Sequence, residues 1–215
     1  MATIQLCSVD DILRAPAFTV VKSNSLIPDT GPTDDQKEFM QLVVDAVSDD
    51  FEEACCRYFK KQAYTEILDA KSQQRLFRVR GYPVVPDSVS IKHSVSGDFA
   101  SETAMDETNF HLLDNGRLGM IKFRPGYGYI ATGVVNVQIT YTGGLGEDIE
   151  KIDKSLRLAA VEQCIYILRR NPQLHVKSEA ISQGQGGQGA ATTFYNDAPR
   201  LVSVQLVLNR YRMKG

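Results

Sequence analysis

Residues 33–59 have the sequence TDDQKEFMQLVVDAVSDDFEEACCRYF, which carries the strongest periodic pattern in the chain. Thr33 and, three residues later, Gln36 form a capping box, which is a signature of a helix start. Beyond them, apolar residues recur at spacings of three and four, as they do along one face of a helix: Phe39, Val43, Ala46, Val47, Phe51, Ala54, Cys55 and Tyr58. The pattern predicts one long helix over 33–59, about 40 Å in length.

The other face of this helix is strongly acidic. The helix contains eight acidic residues and only two basic ones, Lys37 and Arg57, which gives it a net charge of −6. The acidic residues are Asp34, Asp35, Glu38, Asp45, Asp49, Asp50, Glu52 and Glu53. A solvated helix face is the usual meaning of such a run, and a surface for a charged partner is the alternative.

The C-terminal end has the opposite charge. Arg200, Arg210, Arg212 and Lys214 give it +4, and no acidic residue follows Asp197. The whole chain of 215 residues holds 24 Lys and Arg against 26 Asp and Glu, so a near-neutral total hides two charged ends. Such ends suit head-to-tail self-association. The near-neutral total excludes a general DNA-binding protein, because tight binding needs many cationic contacts to phosphates.

Between Ala63 and Thr142 the pattern changes to strands. Segments 64–69, 75–80, 88–95 and 134–141 alternate or cluster β-branched and aromatic residues. Asn115-Gly116 lies between two further apolar segments and predicts a tight hairpin, because both turn positions need a positive φ. We expect an antiparallel β module of five or six strands.

Helices are also predicted on both sides of this module. Ser8 caps a short one, and a longer one begins at Asp153, has apolar residues on two sides, and stops at Asn171-Pro172. Residues 178–197 are rich in Gly, Gln, Ser and Ala and predict a loop, while residues 199–214 fit a helix slightly better than a strand. The prediction is an α+β fold: an antiparallel bundle of three to four helices with an inserted antiparallel β module. Its parts are residues 1–62, 63–147 and 148–215.

None of the motifs predicts catalysis, a cofactor or a metal ion. Gly184–Gly189 matches the dinucleotide motif G-x-G-x-x-G literally, but it lacks the preceding buried strand and the later acidic residue. His93, His111 and His175 have no metal-ligand spacing, and the four cysteines include no C-x-x-C pair, so we interpret the cysteines as packed apolar residues. The chain has no run of 18 apolar residues and no secretory signal, which indicates an intracellular protein without a membrane span. We expect a protein that is not an enzyme.

The order of these features resembles the head–tail connector (adaptor) proteins of long-tailed bacteriophages. The N-terminal helix SVDDIL, the long helix ending in FEEACCRYF, and the segments YTEILD and YPV stand in that order. The most specific part is VQITYTGG at 137–144, followed by LRLAA at 156–160 at the start of a helix. A Gly/Ser-rich segment and a C-terminal Leu…Tyr-Arg element complete the order. The β region over 87–132 is longer than in the small family members, and the N-terminal region, the first 32 residues, is also longer than theirs.

The resemblance implies a structural protein of the virion neck, made in the bacterial cytoplasm. Family members bind the portal protein as a ring, usually of twelve subunits, and provide the platform for the stopper or tail. Double-stranded DNA passes through the centre without sequence-specific binding. The predicted partner-interface residues are Arg200, Arg210, Tyr211, Arg212, Lys214, Gln185, Gln188, Phe194 and Tyr195.

Two alternatives remain. A head-closure (stopper) or tail-completion protein would be another small ring-forming component of the neck. A small cytosolic enzyme or a carbohydrate-binding module belongs to a different class, and it requires a concave site with convergent polar groups.

Overall fold

The computed structural model describes residues 4–16, 32–71, 74–124, 132–170, 178–181, 191–194 and 200–213. The helices in this part of the chain are α1 (Val9–Arg14), α2 (Asp34–Cys55), α3 (Lys154–Arg170) and α4 (Val202–Tyr211). The strands are β1 (Gln62–Ala70), β2 (Leu76–Arg78), β3 (Ser90–His93), β4 (Phe110–Leu112), β5 (Met120–Phe123), β6 (Gly133–Gly143), β7 (Ser178–Ile181) and β8 (Ala191–Phe194). The predicted α+β class is confirmed.

The chain divides into two compact units. One, here called the sheet unit, comprises residues 1–4, 49–153 and 211–215, and the other, the helix unit, comprises residues 5–48 and 154–210. The boundary falls inside α2, so the last turns of that helix belong to the sheet unit.

The sheet unit contains two antiparallel sheets of three strands, with the orders β1-β6-β3 and β2-β5-β4. In β6, Val137, Ile139 and Tyr141 alternate with more exposed residues and are fully buried, as the two-residue period of a strand requires. Ile91 of β3 lies opposite Ile139, and both sheets contribute to one apolar core. The predicted module of five or six antiparallel strands is confirmed.

The hairpin predicted at Asn115-Gly116 is confirmed, but its tight turn is wrong. β4 and β5 pair in antiparallel register, while residues 113–119 connect them. Asn115 and Gly116 do have positive φ, of 51° and 82°. The connection is longer because it packs against a neighbouring segment: the backbone N–H of Val84 donates a 2.9 Å hydrogen bond to the carbonyl of Gly116.

The helix unit starts with a segment that packs across two helices. The backbone N–H of Leu6 donates to the Ser48 hydroxyl of α2 at 3.1 Å, and the thiols of Cys7 and Cys164 are 3.9 Å apart. Ser8 caps α1 in a capping box with Asp11, as predicted. The buried side chains around this segment form the core: Leu6, Ile12, Val44, Val47, Leu156, Ala160, Cys164, Val204 and Leu208.

α2 begins as predicted and ends four residues early. Thr33 and Gln36 exchange the two hydrogen bonds of a capping box. At the other end Cys56 has φ 52°, and the backbone N–H groups of Cys56 and Arg57 donate to the carbonyls of Glu53 and Glu52. This hydrogen-bond pattern is a Schellman motif, which ends a helix. The prediction of a helix to residue 59 is therefore wrong.

The C-terminal part holds one confirmed and one wrong prediction. Residues 202–211 form α4, so the helical alternative is confirmed. The loop predicted over 178–197 contains an antiparallel pair instead, β7 with β8, in which Ser178 lies opposite Phe194. Both strands carry β-branched residues, and their ladder satisfies backbone groups that a loop would leave to water. Residues 182–190 and 195–197 lie outside the described residues.

Candidate functional site

The C-terminal end of the chain is anchored in the sheet unit. The carbonyl of Tyr211 accepts hydrogen bonds from the guanidinium of Arg57 at 3.4 Å and from the hydroxyl of Tyr82 at 3.3 Å. The Tyr211 ring packs edge-on against Phe59, with ring centres 6.5 Å apart. Two residues later, the backbone N–H of Met213 donates to the carbonyl of Cys55.

Arg57 is the centre of this anchor. Only 4% of the residue is exposed, and its guanidinium carbon lies 3.5 Å from the centre of the Tyr82 ring. It also donates to the Tyr82 carbonyl, while its Nε has no hydrogen-bond partner among the described residues. Burial lowers the pKa of Arg57, and the contacts with Tyr82 oppose that shift. The arrangement uses a buried cation to hold two separate segments of backbone together.

This anchor includes one predicted interface residue. The carbonyl and ring of Tyr211 are engaged inside the chain, and its contact with a partner stays a prediction. A propensity pattern could not reveal the intrachain contacts, because they join positions separated by more than 120 residues. Arg57 itself was missed: the sequence placed it with Lys37 among the acids of the long helix, and that pattern gave no signal of burial.

The other predicted interface residues lie in different places. Arg210 and Arg212 are exposed, as residues of a docking surface must be. Arg200 is half-buried and interacts with other residues of the chain. Phe194 is the last residue of β8. Gln185, Gln188, Tyr195 and Lys214 lie outside the described residues.

The acidic face of α2 is solvated over most of its length. Asp34, Glu38, Asp45 and Asp49 are exposed, which agrees with the interpretation as a solvent-facing surface. Asp50 and Glu52 are half-buried, and Glu52 accepts a 2.7 Å hydrogen bond from the backbone N–H of Phe59. Burial raises the pKa of Glu52 in spite of that hydrogen bond. Its carboxylate therefore supports the chain just beyond the end of α2.

An apolar groove in the helix unit was not predicted. The groove, here called the α3 groove, has a volume of ≈ 420 Å³ and is lined mainly by Leu158, Val161 and Ile165 of α3, with Pro16 and Leu201 beside them. Leu158 is 60% exposed, although the periodic pattern assigned it to a covered face. The pattern finds apolar stripes, but which part of a stripe another element covers depends on the tertiary fold. A groove with these walls suits an apolar side chain better than a polar small molecule.

A second apolar feature lies on α2. Phe39 is 41% exposed and Leu42 is 66% exposed, and with exposed Ala46 they form one stripe at helical spacing. This stripe, here called the α2 edge, shows that Phe39 and Ala46, two members of the apolar series in the sequence, are exposed. The buried side of α2 is formed instead by Met40, Val43, Val44 and Val47.

Among the described residues, no group of His, Cys, Asp and Glu side chains could hold a metal ion. The described helices are also too short or too polar to cross a lipid bilayer. A smaller pocket of ≈ 210 Å³ lies in the sheet unit, lined by residues that include Glu107, His111 and Asn115.

No protein-family model matches the chain, and no curated protein matches it. Solved structures do share its fold. A chain in the structure "Neck of empty GTA particle computed with C6 symmetry" aligns over 95% of this chain and 92% of its own length, with a TM-score of 0.53 and 14% identity. A chain in "Virion of native gene transfer agent (GTA) particle" aligns over the same shares, with a TM-score of 0.51 and 11% identity. The likeness covers both units of the chain.

Proposed function

We propose that this chain is a structural protein of a virion neck: a head–tail adaptor that binds a portal protein as a ring. One observation carries the proposal. The chain shares its fold, over 95% of its length, with a chain of a GTA particle neck. The order of the sequence motifs resembles that of phage neck adaptors, and this resemblance does not depend on the shared fold, so two independent likenesses support a neck protein.

In this role the ring, of twelve subunits by resemblance to phage connectors, forms the platform for the stopper or tail. Double-stranded DNA passes through its centre. The exposed acids of α2 suit a surface that contacts a basic partner. They also suit a surface beside DNA, because carboxylates repel phosphates and prevent tight binding to the DNA. The role is structural, and we propose no enzymatic activity.

Exposed cations near the C-terminus suit portal docking. Arg210 and Arg212 are exposed, while Val204 and Leu208 of the same helix are buried. Removing residues 199–215 would therefore damage the core together with the docking surface. The double variant Arg210→Glu/Arg212→Glu changes the charge alone, and Arg117→Glu, on an exposed turn of the sheet unit, is its matched control.

The test is electron microscopy of the protein mixed with the portal protein of the same particle. A twelve-fold ring on the portal supports the adaptor, and a six-fold ring supports the second candidate, a stopper or tail-completion protein. Particles without this chain at the neck would overturn both. In a pull-down with the portal, we expect Arg210→Glu/Arg212→Glu to lower binding at least about tenfold, since charge reversal at an interface is costly. Unchanged binding would overturn the docking surface.

A further inference from the structure

The helix unit carries two apolar surfaces that the described part of the chain leaves exposed. The α3 groove is concave, whereas the α2 edge projects from a helix. The described lining of the groove comes from α3, Leu201 and the end of α1, with no contribution from α2. The two surfaces are therefore separate parts of the unit.

The shapes of the two surfaces are complementary. Phe39 and Leu42 are three residues apart, so their side chains are neighbours on one helix face, about 5–6 Å apart at Cβ. The groove volume of ≈ 420 Å³ corresponds to about 14 water molecules at about 30 Å³ each, which is room for two such side chains. Exposed apolar residues that gather in patches mark interaction sites more often than isolated ones do.

The charges beside the two surfaces are also complementary. Exposed Glu38 and Asp45 flank Phe39 and Leu42 along α2, within a helix that is acidic over its length. At the groove, Arg169 is an exposed lining residue, and Arg14 directly precedes the lining residue Ala15. The lining also includes the exposed carboxylate of Glu162, which accepts a 3.2 Å hydrogen bond from the Ser203 hydroxyl, so two guanidinium groups stand against one carboxylate there. Contact between the surfaces would bring carboxylates towards guanidinium groups, the pairing with the best hydrogen-bond geometry.

We propose that the α2 edge of one copy of this chain binds in the α3 groove of a second copy. The contact uses two different surfaces, so it is heterologous, and repeating it closes a ring when the rotations between successive copies add up to a full turn. The inference rests on the proposed function, since it names the subunit contact within the proposed ring.

Another exposed apolar pair fits the groove less well. Val202 and Leu206 of α4 are 68% and 61% exposed. The helix that carries them has no acidic residue and has Arg210 in its last turn. Bringing it to the groove would place like charges together at Arg169, whereas the α2 edge brings opposite charges.

Two single variants test the contact. Leu42→Asp disables the edge and leaves the groove intact, while Leu158→Asp disables the groove and leaves the edge intact. Both positions are more than half exposed, so the substitutions leave the core unchanged. By sedimentation velocity up to about 1 mM protein, we expect wild type to self-associate and each variant to do so at least about tenfold more weakly. Val95→Asp, on an exposed loop of the sheet unit, is the control and should behave as wild type.

A mixture of the two variants gives the sharpest result. The Leu42→Asp chain still offers a groove and the Leu158→Asp chain still offers an edge, so their mixture should form one-to-one dimers and no larger species. These dimers also show that both variants are folded. A mixture that stays monomeric, or single variants that associate as well as wild type, would overturn the inference, and so would a wild-type protein that remains monomeric throughout the range.

Charge-reversal variants at the two surfaces provide an independent test of the contact. We expect Glu38→Arg and Arg169→Glu each to weaken association at least about threefold, and the chain carrying both changes to recover it.

Failure of this inference is distinguishable from failure of the proposed function. If both apolar variants still form the neck ring in particle images, the contact is wrong and the neck role stands; if the chain is absent from the neck, the neck role is wrong whatever the sedimentation result.

Discussion

The guanidinium carbon of Arg57 lies 3.5 Å from the centre of the Tyr82 ring. A flat guanidinium can stack on an aromatic ring and still donate hydrogen bonds from its edge, and Arg57 donates to the carbonyls of Tyr82 and Tyr211. Arg57, two residues beyond the end of α2, thus binds backbone of both the β module and the C-terminal segment.

Replacing Arg57 with lysine should lower the free energy of unfolding by about 2 kcal/mol, because an ammonium keeps the charge but loses the stack and one hydrogen bond. Urea unfolding followed by circular dichroism measures the change as a lower midpoint. Arg117→Lys is the control, since Arg117 is exposed and should tolerate lysine. Equal midpoints for Arg57→Lys and wild type would show that the stack contributes nothing.

The pH dependence of stability should depend on Asp11. Its carboxylate accepts two hydrogen bonds from the guanidinium of Arg157, at 3.1 and 2.5 Å. Burial opposes ionisation, but the hydrogen bonds from Arg157 and Ser8 outweigh it and lower the pKa of Asp11. A lowered pKa means that the stabilisation is complete above the unfolded-state value, about 3.9, and is lost as the pH falls through the folded-state value.

Asp11→Asn should therefore lower stability at pH 7 by about 1 kcal/mol, a modest amount because Arg157 is one-third exposed and solvent screens the pair. The difference from wild type should shrink as the pH falls below about 4. Thermal unfolding across this range measures it, and exposed Asp10→Asn is the control. A difference that stays constant with pH would rule out the ion pair as its cause.

The helices and strands could be predicted because their patterns are local. The capping residues Thr33 and Ser8 and the alternation in β6 act within a few residues of sequence, so their predictions are confirmed. The end of α2 was missed because its C′ residue is Cys56 rather than glycine, which is the usual signal for a helix end.

The candidate surfaces could be predicted only in part, because exposure is decided by distant segments. Phe39 and Leu158 fit apolar stripes as well as their buried neighbours do, and only the tertiary fold leaves them uncovered. Tyr211 is the opposite case. Its basic C-terminal sequence suggests exposure, but its carbonyl accepts hydrogen bonds from Arg57 and Tyr82.

Thiol reactivity should single out one of the four cysteines. Cys56 is exposed, whereas Cys7, Cys55 and Cys164 are buried. The contact with the Cys7 thiol and burial raise the pKa of Cys164, so it remains a protonated, unreactive thiol at neutral pH. Native protein treated with N-ethylmaleimide should gain one adduct by mass spectrometry, and unfolded protein should gain one for every cysteine. Cys56→Ser should gain none in the native state; modification of Cys164 at the rate of Cys56 would contradict the packing around α3.

Two glycines of the sheet unit, Gly97 before β4 and Gly116 in the turn after it, form a matched pair. Gly116 and Gly97 both have positive φ, of 82° and 77°, so alanine costs about 1–2 kcal/mol of backbone strain at either position. A Cβ at Gly97 would meet only the Val135 carbonyl at 3.5 Å, whereas at Gly116 it would lie 2.3 Å from the Val84 carbonyl oxygen. That contact is far inside van der Waals distance and involves backbone that cannot rotate away. Gly116→Ala should therefore destabilise the protein by at least about 2 kcal/mol more than Gly97→Ala in urea unfolding. Equal effects would mean that the turn over Val84 relaxes freely, and that its close packing is not what lengthens the connection between β4 and β5.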